Sequence, residues 1–105
     1  MKQSAPEAIQ MMVLFSTAAK TTIRECFGLM KTRDFSQVEQ KMQEVSILIE
    51  QTRELEKKLL DTQTRENEPI DDARFLYAST HFLATTVLFE TALEMQQLYK
   101  LGFSC

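Results

Sequence analysis

Apolar residues recur along this chain at three- and four-residue steps, in three separate blocks. In the first, Ile9, Met12, Val13, Ser16, Ala19, Ile23, Cys26, Phe27 and Met30 mark one stripe of a helix. Ser4 can cap it, Pro6 fits its first turn, and Glu7 can answer Ser4 in a capping box. The pattern breaks at "KTRDF".

The second block opens at Asp34, a helix cap with Gln37 three residues on. Its stripe is Phe35, Val38, Met42, Val45, Ile49, Thr52, Leu55 and Leu59. The mean spacing is about 3.5 residues, the period of coiled-coil packing. Gln, Glu, Lys and Arg fill the other faces and read as a solvated surface. Pro69 closes the block, because Glu68 before it is pushed out of helical geometry.

The third block starts at Asp71 or Asp72 and runs to about Leu101, with Gly102 as its stop. From Phe75 to Phe89 it carries no Asp, Glu, Lys or Arg. Phe75, Phe82 and Phe89 share one side, and Leu76, Leu83 and Val87 another. Tyr77, His81, Ala84, Leu88, Thr91 and Met95 form a third stripe. Two partner helices cannot cover every side of such a helix, so it is expected at the centre of an oligomer. The pattern predicts an all-α fold in one domain. Its helices, at about 5–32, 35–66 and 72–101, form an up-down-up antiparallel bundle joined by short connections.

Composition narrows the picture. At 105 residues the chain fits one domain, and 44% hydrophobic residues exclude a disordered one. Two glycines and two prolines leave little material for turns, as long helices require. The net charge of -3 offers no basic face for nucleic acid. "MKQSAPEAIQ" lacks an apolar core followed by a cleavage site, so no signal peptide is expected. The uncharged run is too short and too polar to span a bilayer, so no membrane insertion is expected. Cys26 and Cys105 match no metal or redox spacing and read as reduced thiols in a cytoplasmic protein, Cys26 in the core. The methionines lie mostly on or near the stripes and read as adaptable core, with a promiscuous binding surface as the other reading.

Two stretches carry a resemblance: Asp34–Phe35, and "THFLATTVLFETALEMQQLYKLG" from Thr80 to Gly102. The chain resembles, over essentially its whole length, the lactose/cellobiose/chitobiose class of enzyme IIA components of the bacterial phosphoenolpyruvate-dependent sugar phosphotransferase system (PTS). Asp34–Phe35 fall where that family has a Gly-Asp-Phe turn. His81, Thr85 and Leu98-Tyr99-Lys100 match its third helix, which reads roughly Asp-His-Leu-Met-Thr and later Glu-Leu-Tyr-Lys. The resemblance implies a three-helix subunit in a homotrimer, with third helices around the threefold axis. It implies as partners the histidine phosphocarrier protein, which donates the phosphoryl group, and a IIB component, which receives it. No cofactor is expected.

The departures bear on function. By this resemblance the family's phosphorylated histidine falls at Tyr77, and its metal-binding axial aspartate at Thr80. The family's Ala-Gly-Asp-Ala-Arg-like stretch corresponds to "STAAK", Ser16 to Lys20, with Ala18 at the acidic position. A phenol ionises only near pH 10 and its phosphate ester is a poor donor, so Tyr77 cannot replace an imidazole carrier. Three threonines on an axis need no cation, so a trimer is expected to be independent of metal.

His81 is the one histidine. It lies a helical turn from Tyr77, about 6 Å along the axis, which is a severe displacement for in-line phosphoryl transfer. It reads as an interface histidine bonded to Tyr77, Thr80 or a carbonyl, as an alternative phospho-acceptor, or as a metal or ligand group. The functional expectation is a degenerate IIA-like binding or regulatory module. The alternatives are a working phosphocarrier using His81, and a helical scaffold with no PTS role.

Overall fold

The structure, a computed structural model, describes residues 5–66 and 72–102. They form three helices, α1 (Ala5–Lys31), α2 (Phe35–Glu66) and α3 (Asp72–Lys100), and no strand occurs among the described residues. The helix ends lie within one residue of the expected ranges. The expected roles of Ser4, Pro69, Asp71 and Cys105 fall outside the described residues.

The turn after α1 is built from backbone bonds and one side chain. Asp34 N–H donates to Leu29 C=O at 3.0 Å and Arg33 N–H to Met30 C=O at 3.1 Å. This pair of bonds closes a helix through a left-handed residue. That residue is Arg33, with φ of 61°. Asp34 then caps α2: Gln37 N–H reaches its Oδ1 at 3.3 Å, and Gln37 Nε2 donates to Oδ2 at 2.8 Å. At the far end Gly102 has φ of 91° and its N–H donates to Tyr99 C=O at 3.0 Å, the expected stop.

The stripes become two apolar clusters. One joins Ala19, Ile23, Cys26 and Met30 of α1 to Val38, Met42, Val45 and Ile49 of α2, and to Phe82 and Ala92 of α3. The other joins Ala8, Ile9 and Met12 to Leu59 and Ala78, with Leu55 and Phe75 against it. Met12, Met30 and Met42 are all buried, as an adaptable core requires. Among buried hydroxyls, Thr52 donates to Leu48 C=O at 2.7 Å and Thr85 to His81 C=O at 2.9 Å, so neither disturbs the core.

The helices do not share contact equally. α1 packs along both others, whereas α2 and α3 meet only sparsely. One link between those two is Arg53, whose guanidinium carbon lies 5.9 Å from the centre of the Phe82 ring. The molecule is accordingly long and thin, 53 × 24 × 17 Å. No described helix is long and apolar enough to cross a membrane.

Candidate functional site

The outer face of α3 follows from this arrangement. Phe82, Ala78, Thr85, Ala92 and Gln96 are buried. The opposite positions are largely exposed. Leu76 is 67% exposed, Tyr77 63%, Leu83 64% and Val87 53%. The sequence pattern singled out these residues as more apolar than one bundle can cover. They form a contiguous apolar patch of the kind that marks an interaction surface.

Tyr77 and His81 lie along one edge of that patch, on the side of α1. Their rings stack with centroids 6.1 Å apart and planes 13° from parallel. His81 Nε2 and Thr17 Oγ1 of α1 are 3.3 Å apart and share a hydrogen bond. The partner of His81 is therefore Thr17, not Tyr77, Thr80 or a carbonyl as the sequence suggested. The helix that runs beside α3 supplies it, and the sequence does not show which α1 residue stands level with position 81. In the single chain His81 is half-buried and Thr80 is exposed.

A groove of ≈ 660 Å³ continues from Tyr77 between the first turns of α1 and α3. Ile9, Val13, Leu14 and Tyr77 give it apolar walls, and Glu7 and Arg74 add charge. Leu14, 55% exposed, extends the apolar patch of α3 onto α1. Leu14 lies off the α1 stripe, so periodicity alone passes over it.

The chemistry available here is limited. No group of three His, Cys, Asp or Glu side chains that could hold a metal occurs among the described residues. The hydrogen-bond partner of the His81 ring is the Thr17 hydroxyl, and the charged residues of the groove, Glu7 and Arg74, stand on the Tyr77 side. The other reactive side chain, Cys26, is a free thiol fully buried between α1 and α2. Burial pushes its pKa above the ordinary value, so it is held as the inert thiol. Nearby, Lys41 and Glu25 form an ion pair at 2.9 Å between α1 and α2.

Compared with family models, with curated proteins and with solved structures, the chain matches none.

Proposed function

We propose that this chain is a lactose/cellobiose/chitobiose-type IIA-like protein that carries no phosphate and serves as a binding or regulatory module, assembled as a homotrimer around α3. Tyr77 carries the reading. It takes the phosphohistidine position of the resemblance and is exposed on the outer face of α3. Its ring is held by stacking on His81. A phenol there supplies contact area and one hydroxyl in place of a nucleophilic imidazole.

Three further observations support the reading. Ala8, Ile9 and Met12 share a cluster with Leu59 and with Ala78, which fits an up-down-up order of helices. Arg33 occupies a left-handed turn at the place where the resemblance has glycine. The apolar patch also has two unlike edges, Leu76 and Leu83 on one and Tyr77 with Leu14 on the other. Unlike edges meeting head to tail close into a ring when the rotation between copies divides a full turn. The docking partners in this reading are the histidine phosphocarrier or a IIB component, and the setting is the cytoplasm.

A second reading keeps phosphotransfer on His81. Its favouring observation is that Thr17 engages only Nε2, so Nδ1 of a half-buried ring is left for an electrophile. Intact-protein mass spectrometry separates the two after incubation with phosphoenolpyruvate, enzyme I and the phosphocarrier at neutral to alkaline pH. No added phosphate is expected, with an active IIA protein labelled alongside. A phosphate that disappears in His81→Ala would replace the first reading with the second. One that persists in His81→Ala would sink both. A dimer or tetramer in solution would favour a helical scaffold with no PTS role.

A further inference from the structure

We propose that the end of the bundle carrying Tyr77 and the groove opens as a unit, dividing from the rest at a layer of buried hydroxyls, while that remainder stays folded. The layer lies between the two apolar clusters, and each helix gives it one residue. On α1, Ser16 stands between Met12 of one cluster and Ala19 of the other. On α2, Thr52 stands between Ile49 of one and Leu55, which packs against the other. On α3, Ser79 stands between Ala78 and Phe82. The contact of Thr17 with His81 sets α1 and α3 level here. Ser16 and Thr52 are each 1% exposed, and Ser79 is half-buried with its oxygen inside.

A hydroxyl inside a helix ordinarily bonds back to a carbonyl one turn earlier. Thr52 does so, to Leu48. Ser16 Oγ and Ser79 Oγ have no hydrogen-bond partner among the described residues, although both atoms are buried. A buried hydroxyl without a partner carries a cost that is relieved on opening, when water can bond it. The layer therefore favours separation at its own level.

The two sides of the layer are unequal. Toward the α1–α2 turn lie ten buried apolar residues, with Ile23, Met30, Met42, Val45 and Phe82 among them. On the other side are five, Ala8, Ile9, Met12, Leu59 and Ala78, and two of these are alanines. Burial stabilises in proportion to apolar area, so the smaller cluster is the one that gives way. Its loss releases the first turns of α1 and α3 and parts Ile9 and Val13 from Tyr77 across the groove. Segments that bind and move are drawn from such less stable units, which open without global unfolding.

The test is native-state amide hydrogen exchange of the full chain by NMR, at a pH where exchange reports the opening equilibrium, with urea rising below the unfolding transition. Met12, Val13, Leu59 and Ala78 form one set of amides, and Ile23, Val45 and Ala92 the other. The first set is expected to share one opening constant, at least about tenfold larger than that of the second and less steeply dependent on urea. Ser16→Ala combined with Ser79→Ala should lower the first set's opening constant by roughly tenfold, the size of a relieved buried hydroxyl. Gln51→Ala, exposed beside Thr52, raises helix propensity alone and should move that constant by less than about threefold. A single opening constant for both sets, with the same urea dependence, overturns the proposal. So does a double variant whose first set is unchanged or opens more readily, because the hydroxyls would then not be what opening relieves.

Discussion

Arg33 turns the chain with φ of 61°, and so places Asp34 where its carboxylate caps the first turn of α2. The left-handed conformation costs a residue with a Cβ about 1–2 kcal/mol, and glycine almost nothing. Arg33 is exposed, and among the described residues no hydrogen bond or ion pair of its side chain offsets the strain. Arg33→Gly is expected to stabilise the protein by roughly 1 kcal/mol, after allowing for the added freedom of the unfolded chain. A higher urea midpoint with an unchanged slope would be the signature.

Ile23 is fully buried in the cluster where all three helices meet. Ile23→Ala should cost about 2–5 kcal/mol, a large share of the 5–15 kcal/mol that holds a typical small domain together. A loss below about 1 kcal/mol in equilibrium unfolding would contradict the described packing.

Stability should decline in alkali, through two groups in turn. Burial raises the Cys26 thiol above 9.0, and the hydrogen bond to Glu25, followed by its charge, raises Lys41 above 10.5. In both cases the folded state holds its proton to higher pH than the unfolded state. Their contributions are therefore complete below about pH 9 and are lost as the pH rises through the raised values. Cys26→Ala should remove the earlier part of the decline and Glu25→Gln weaken the later part, as read from unfolding free energy at stepped pH.

Leu83 is 64% exposed and touches no core cluster. Leu83→Glu should leave the unfolding free energy of the single chain within about 0.5 kcal/mol. If α3 is the assembly face, the same change should disperse the oligomer in sedimentation. An oligomer untouched by Leu83→Glu would place the interface elsewhere.

Much of this fold is legible in the sequence, because its signals are local. Asp34 with Gln37, Gly102, and the stripes of α1 and α2 each act within a few residues, and each stands where the pattern puts it. The apolar excess on α3 is legible too, and it appears as the exposed Leu76, Tyr77, Leu83 and Val87. What is not legible depends on the level of one helix against another. Thr17 meets His81 across 64 residues of chain, and nothing near either residue announces it. The groove at Leu14 and the thin contact between α2 and α3 have the same origin. Arg33 is a further case, since an arginine gives no hint of a left-handed backbone.

α1 is the helix on which both others depend, and this gives the three helices an order in time. The α1–α2 pair is joined by a three-residue turn with its own cap, so closing it costs little chain entropy. Of the ten buried residues of its core, Ala19 to Ile49 supply eight, and α3 adds Phe82 and Ala92, with Leu88, Phe89, Met95 and Tyr99 packed against them. During synthesis that hairpin can form before α3 has left the ribosome. The outer face of α3 is then made only after the core between α1 and α2 can close.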